Sequence, residues 1–410
     1  MHKYFFILGR SPKLAQAEIE SILPTLPGEY RIAESADDVL LLDLKIFGEN
    51  GFQLKNFMKK LGGTIKVGKI IDEVENKNQA TNTLTPERLL KKYLPQKEQK
   101  ITFGFSLYSA GNSFSKSFQK DLAKTGIQIK IGLKKEGLKA RFVTSKDKAL
   151  SSVIVGENKL VERGADICIF FAKEKIYIGK TIAVQDYKSF SKFDYGRPRA
   201  DAKSGMLPPK IARIMVNLAQ TKPDEILLDP FCGSGTVLQE ALLLGTKKVI
   251  GSDISRKAVD DTNKNLEWLG SEVDINESNY QILHSDVREL SKILKQKVDV
   301  IVTEPFLGPP LRGSESINHL QQNVKELSKL YIESFQVFQK ILKENGKIVI
   351  VLPVFKKDNQ EFPILIIDDI RKLGFKLKSS SESSKRGGYL YSRPDQRVMR
   401  EIFILSGKSS

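Results

Sequence analysis

The sequence predicts an α/β protein, with a doubly wound parallel sheet over the C-terminal half and two smaller α+β modules before it. Three observations carry this expectation. The run Asp229-Pro230-Phe231-Cys232-Gly233-Ser234-Gly235-Thr236 lies between an apolar strand pattern at 225–228 and a helical pattern at 237–244. A Gly-rich turn from strand into helix is where such a sheet holds a nucleotide-like ligand. Four apolar strand patterns, at 225–228, 248–253, 282–287 and 298–303, are separated by helix-length segments and each ends in a polar or Pro/Gly turn, as in a parallel sheet whose carboxyl edge is the ligand site. Finally, the first 71 residues run in β-α-β-β-α-β order.

From the N-terminus, 4–8 reads as a strand and 11–23 as a helix, capped by Ser11 with Pro12 in its first turn. Strands at 30–33 and 39–44, a helix at 53–61 and a strand at 64–71 follow, the split unit of a ferredoxin-like fold over residues 1–72. Residues 77–84 are polar and read as a loop. An α/β stretch then fills a second module, 73–185, with strands expected at 101–107, 127–131, 140–143 and 167–171. Residues 186–200 form an aromatic and basic linker. The last domain, 201–410, opens with Pro208 and Pro209 where a helix N-terminus tolerates them, then an amphipathic helix at 210–219 whose Ile211, Ile214, Met215 and Leu218 need only a core. The segments 385–391 and 401–405 read as closing antiparallel strands.

Each residue of the Gly-rich turn has a physical task. Gly233 and Gly235 admit close approach of a ligand to the backbone, and the helix that begins near Thr236 aims free N–H groups and a positive dipole end at a carboxylate or phosphate. Asp253 ends the next strand, 18 positions after Gly235, and suits ribose hydroxyls. Alone, such a loop also fits a tight turn with no ligand. The absent third glycine and the Asp-Pro-Phe approach argue against a nicotinamide dinucleotide.

These motifs resemble those of S-adenosylmethionine-dependent methyltransferases that act on exocyclic amino groups. The stretch from Asp186 to Arg199, with Lys203-Ser204-Gly205-Met206-Leu207-Pro208-Pro209-Lys210 after it, is similar to the linker and pre-sheet helix of the THUMP-domain tRNA guanosine-N2-methyltransferases that modify position ten. The resemblance covers nearly the whole chain, more loosely before Asp186. It implies a Rossmann-like methyltransferase sheet, a THUMP-like reader of tRNA ends over 73–185, and a ferredoxin-like module closed by Leu61-Gly62-Gly63-Thr64-Ile65-Lys66. It also implies S-adenosylmethionine as cofactor. Pro208 would shape the pocket, and Asp229, Phe231, Gly233, Ser234, Gly235 and Thr236 would meet the methionine end. Asp253 would meet the ribose, Asp286 and Val287 the adenine, and Ile254 would also line the cofactor site.

In that family the catalytic segment falls at Thr303-Glu304-Pro305-Phe306-Leu307-Gly308, which makes Glu304, Pro305 and Phe306 the catalytic candidates. The lone pair of an exocyclic base nitrogen is delocalised into the ring. A side-chain oxygen and a backbone carbonyl that accept its two N–H groups draw that pair out, while an aromatic face stacks on the base. The chain departs from the pattern twice: Glu replaces the shorter Asp or Asn, and Phe306-Leu307 stands where Pro-Tyr is usual. A displacement of about 1 Å can cost roughly a hundredfold in rate. Three other functions therefore stand beside the first: N6-adenine or rRNA guanine methylation, RNA binding without transfer, and nicotinamide chemistry.

Charge points to the partner. The 410 residues carry a net +17, and 25 Lys and Arg against 13 Asp and Glu fall within 73–200. A surplus concentrated in one module fits a polyanion, most simply tRNA. Lys134, Lys135, Arg141 and Arg312 are the named RNA contacts, although each lysine pair alone reads equally as a solvated face. Arg393, Arg397 and Arg400 either extend that footprint or line an exposed hairpin. No run of about 18 apolar residues marks a membrane span, and the N-terminus lacks a signal-peptide core. Two cysteines, Cys168 and Cys232, make no disulfide framework, which fits a cytoplasmic protein. His2, His284 and His319 are too scattered for zinc, so no metal is expected.

Overall fold

Strands buried on both faces read as continuous apolar runs, and the first sheet is built on three of them: β1 (His2–Leu8), β3 (Val39–Leu44) and β7 (Gly164–Ala172). The computed structural model describes residues 1–26, 28–45, 52–95, 100–199, 206–378, 383–393 and 396–407. Lys203-Ser204-Gly205 of the pre-sheet segment lies outside these residues. With β2 (Tyr30–Ala36), β4 (Thr64–Val74), β5 (Lys100–Ala110), β6 (Lys139–Val143) and β8 (Ile176–Val184), the first sheet has the order β2-β3-β1-β4-β8-β7-β5-β6. Pairing is antiparallel from β2 through β7 and parallel where β5 meets β7 and β6.

The boundary expected between residues 72 and 73 falls inside β4, which pairs with β1 on one side and β8 on the other. The first two expected modules thus share one sheet, in a unit made of Met1–Pro12 and Leu23–Tyr187. At its centre Lys66 donates to Asp166 at 2.8 Å, and Ser106 and Thr181 also donate to that carboxylate, so the buried charges are partnered.

Three local expectations change. Residues 127–131, read as a strand, lie inside a helix, Lys116–Lys135. Its buried positions Phe118, Leu122, Gly126, Ile129 and Leu133 follow the helical period, whereas Ile127 and Ile131 are exposed. The alternating isoleucines imitated a strand. Gly126 is required here, since a Cβ would come within 2.3 Å of the Phe142 ring. The polar segment read as a loop is the helix Lys77–Thr83, capped by the Asn76 side chain, which accepts from the Gln79 N–H. The linker contains a helix, Tyr187–Tyr195.

The second unit comprises Lys13–Ile22 and Lys188–Ser410. Its strands are β9 (Ile226–Asp229), β10 (Lys248–Asp253), β11 (Tyr280–His284), β12 (Val298–Thr303), β13 (Leu342–Lys357), β14 (Gln360–Pro363), β15 (Lys376–Lys378), β16 (Tyr389–Tyr391) and β17 (Val398–Ser406). The path is β11-β10-β9-β12-β13-β17-β15, parallel through β13 and antiparallel beyond it, with β14 on β13 and β16 on β17.

Strand periodicity divides the core in two. Leu227, Val249, Val300, Val302, Val349 and Val351 face the cluster that holds helices Pro209–Ala219 and Thr236–Leu243. Leu228, Ile250, Ile301, Ile348 and Ile350 face the cluster that holds helix Ile317–Ile341. Leu14 and Ala17 of the N-terminal segment belong to the first cluster, and Glu18 beside them accepts from the Asn217 side chain at 2.7 Å. The chain leaves β9 for β10 on one side and returns to β12 on the other. This reversal sets the carboxyl ends of β9 and β12 side by side, the usual place for a ligand in an open α/β sheet.

Candidate functional site

Asp229 ends β9 and Thr303 ends β12, and the Thr303 hydroxyl donates to Asp229 Oδ1 at 2.7 Å. The Phe231 N–H donates to the same oxygen at 3.2 Å. Burial pushes the Asp229 carboxyl up to about 7; these two hydrogen bonds oppose the rise, and the nearby Asp253 and Glu304 charges add to it. The adjoining turn is held from several sides. Gly233, at φ +53°, donates its N–H to Asp253 Oδ2 at 3.0 Å, and the Ser255 N–H donates to Oδ1 at 2.8 Å. Thr262 donates to the Gly233 carbonyl and Asn265 to that of Ser234, both from helix Arg256–Glu272.

This arrangement fits an elongated ligand with an anionic end, a ribose and a purine. The space where a Gly233 Cβ would stand is open. Gly235, at φ +84°, begins helix Thr236–Leu243, whose N-terminus attracts negative charge. The Asp253 carboxylate, fixed by two backbone donors, keeps lone pairs for hydroxyls. Ile254 beside it is 67% exposed, an apolar face for a flat ring. Thr236 accepts from the buried guanidinium of Arg197 at 2.8 Å. Phe231 is half-buried and Ser234 partly open. Pro208 caps helix Pro209–Ala219, its carbonyl accepting from Ile211. Asp286 is gripped by Arg288, whose hydrogen bonds hold the carboxyl below the usual range. Val287 is buried in the second core cluster, so its side chain packs the sheet.

Across the switch point, Glu304 follows β12. Arg400 of β17 reaches it with a two-pronged contact, Nε to Oε1 at 2.5 Å and Nη2 to Oε2 at 3.1 Å. Burial pushes the Glu304 carboxyl up, and Arg400 opposes that shift. Pro305 is buried. The Phe306 side chain is 57% exposed, and its carbonyl accepts from the Tyr331 hydroxyl at 2.6 Å. The loop beyond is braced: Glu315 accepts from the Arg312 and Gly313 N–H groups, Arg397 donates to the Leu311 carbonyl, and Lys357 donates to the Glu315 carbonyl. Arg400 therefore departs from its expected place on an RNA-facing surface, because it is buried against Glu304.

Lys134, Lys135, Arg141 and Arg312 are all exposed. The two lysines stand in the last turn of helix Lys116–Lys135, where the dipole favours cations, and Arg141 is on the edge strand β6. Among the described residues no group of His, Cys, Asp and Glu could hold a metal ion, and no helix is long and apolar enough to cross a membrane. Sequence reasoning missed Thr303 as the partner of Asp229, Arg197 beneath Thr236, Tyr331 beneath Phe306, and Arg400. Thr303 and Arg197 lie in segments that the sequence singles out, but their partners, like those of Tyr331 and Arg400, come from distant elements that only the topology brings in.

Residues 197–362 match the RMKL-like methyltransferase domain family, and residues 77–264 match a DNA methylase family. The chain is 36% identical over 165 residues to the tRNA (guanine(10)-N2)-dimethyltransferase of Methanothermobacter thermautotrophicus, a match that takes in 39% of this chain and 43% of the relative. It is 34% identical over 124 residues, 29% of this chain, to a Methanothermococcus thermolithotrophicus protein named "Probable tRNA (guanine(10)-N2)-dimethyltransferase", and covers 74% of it. The chain spans about half the length of the first curated relatives it matches. In fold it is similar to the crystal structure of TrmN from Thermus thermophilus, with a TM-score of 0.58 at 16% identity, over 99% of this chain and 100% of that one.

Proposed function

The chain belongs to the family of tRNA guanine-N2 methyltransferases, and from that premise we propose that it transfers a methyl group from S-adenosylmethionine to the exocyclic N2 of a guanosine in tRNA. The observation that carries this reading is the Thr303–Asp229 hydrogen bond, which joins the Gly-rich turn to the strand that leads into Glu304-Pro305-Phe306. A ligand seated on the turn and a base stacked on the exposed Phe306 would meet at one sheet edge. When bound, S-adenosylmethionine supplies a methyl group activated by its sulfonium. Gly233, Gly235 and the helix N-terminus would face its carboxylate end, and Asp253 would accept from the ribose hydroxyls.

Glu304 and the Pro305 carbonyl would accept the two N–H groups of the guanine amino group. That draws nitrogen lone-pair density toward the methyl carbon, because the interaction strengthens as the nitrogen gains positive character. As the N–C bond forms, the proton leaves to Glu304 or water. Within the sheet they share, residues 1–72 would supply a ferredoxin-like part and 73–185 a THUMP-like RNA reader, the latter role supported by the basic surplus of the middle segment. With tRNA as its partner, the protein would act in the cytoplasm.

The Glu304–Arg400 pair supports a second reading, RNA binding without transfer, since both carboxylate oxygens already have a donor. Nucleoside mass spectrometry of tRNA incubated with the protein and S-adenosylmethionine separates the two. N2-methylguanosine is the expected product. Methylation at adenine N6 would redirect the assignment, and tight tRNA binding with no methylated nucleoside would favour the second reading.

A further inference from the structure

We propose that Arg400 is the positioning residue of this site: a guanidinium fork on β17 that holds the Glu304 carboxylate in one orientation and leaves its outward lone pairs to the substrate amino group. This rests on the methyl-transfer reading above. Arg400 lies in register with Pro353 of β13 and Tyr391 of β16 and is 5% exposed, so it is anchored on both sides and withdrawn from any surface role. Its two contacts engage both oxygens of Glu304. A carboxylate offers about four acceptor positions, and a bidentate guanidinium occupies two of them.

The fork also answers the extra methylene of Glu304. A glutamate has one more rotatable bond than an aspartate, and a planar two-point contact removes that freedom before substrate arrives. Three groups from three elements lie near enough to Glu304 to interact with its charge. Asp229 on β9 is an acid itself raised by burial. Tyr331 on helix Ile317–Ile341 is kept neutral by burial and donates its hydroxyl to the Phe306 carbonyl. Arg400 on β17 is the cation among them, and its charge and hydrogen bonds oppose the rise that burial imposes on the Glu304 carboxyl, favouring the ionised form that can accept.

The test compares full-length wild type, Arg400→Met, Arg400→Lys, Glu304→Gln and the Glu304→Gln/Arg400→Met double variant. Methyl transfer to a tRNA transcript is followed across pH, with cofactor affinity measured by calorimetry. Arg400→Met should lower kcat about a hundredfold while KM for tRNA and the cofactor Kd stay within about twofold. Its acid limb should move to higher pH, because Glu304 without the guanidinium protonates more readily. In the Glu304→Gln background the same change should cost little. An unmoved acid limb together with the full penalty in that background would make Arg400 merely structural and overturn the proposal. If Arg400→Met does not fold, Arg400→Lys decides: kcat down about tenfold at constant KM supports the fork, and unchanged kcat overturns it. A wild type that transfers no methyl group to tRNA overturns the functional reading itself, whereas an active wild type with an unmoved limb and the full penalty in the Glu304→Gln background overturns only the role of Arg400.

Discussion

The two halves of the candidate site are held by different means. The Gly-rich turn is held at its own backbone: Gly233 and Gly235 stand at positive φ, the Gly233 N–H donates to Asp253, and the Gly233 and Ser234 carbonyls accept from Thr262 and Asn265. The Glu304 segment is fixed by side chains from distant elements, Arg400 on β17 and Tyr331 on a long helix. A backbone-built cradle tolerates change in its surroundings and fails when its own residues change. A side-chain-built site can absorb a longer acid when a partner such as Arg400 takes up the difference.

The largest expected effect bears on the second half. Glu304→Gln should lower kcat roughly a hundred- to a thousandfold and leave cofactor affinity nearly intact, as for loss of a group that acts in the transition state; equal losses in both, measured by single-turnover kinetics and calorimetry, would erase the distinction between the halves. Next comes the joint between them. The Asp229 carboxyl sits near 7 in the fold and ordinarily near 4 in the unfolded chain, so the folded state binds the extra proton and wild-type stability declines as pH rises from about 4 to 7. Asp229→Asn removes that dependence. Its stability relative to wild type should therefore improve across this window, by roughly 2–4 kcal/mol at pH 8 in denaturant titrations without cofactor. A constant difference at all pH values would show that the buried carboxyl does not hold its proton.

Asp253→Ala tests the first half directly and should weaken S-adenosylmethionine by about 1.5–3 kcal/mol, with tRNA affinity unchanged. An unaltered Kd in the folded variant would remove Asp253 from the ribose. The smallest effect belongs to Thr262→Val, which deletes the hydroxyl that braces the Gly233 carbonyl. A loss of about 0.5–1.5 kcal/mol of cofactor affinity is expected. A larger loss would mean that the turn depends on its side-chain support more than its glycines imply.

The same contrast explains what could be read in advance. Gly233, Gly235 and Asp253 act through local geometry, the Gly233 N–H meeting Asp253 across one strand, so their spacing marks the candidate turn in the sequence. Strands β9 to β12 were legible because each is a short apolar run closed by a polar turn. The strand expected at 127–131 was misread because alternate isoleucines satisfy a period of two, whereas Phe118, Leu122, Ile129 and Leu133 set the period that packing obeys. Arg400 was out of reach for another reason. It lies 96 residues from Glu304, and nothing in its neighbourhood distinguishes a buried fork from a surface arginine.

The N-terminal helix has a consequence for how the chain is made. Lys13–Ile22 belongs to the second unit, and Glu18 meets Asn217 across 199 residues of sequence. At translation rates of about 5–20 residues per second, that helix waits on the order of 10–40 s after synthesis before its core exists. Leu14 and Ala17, which pack in that core, would stand uncovered for that interval, the exposure on which holdase chaperones act. A separation this long also makes the contact a late step in folding, because closing so large a loop costs entropy before any packing rewards it.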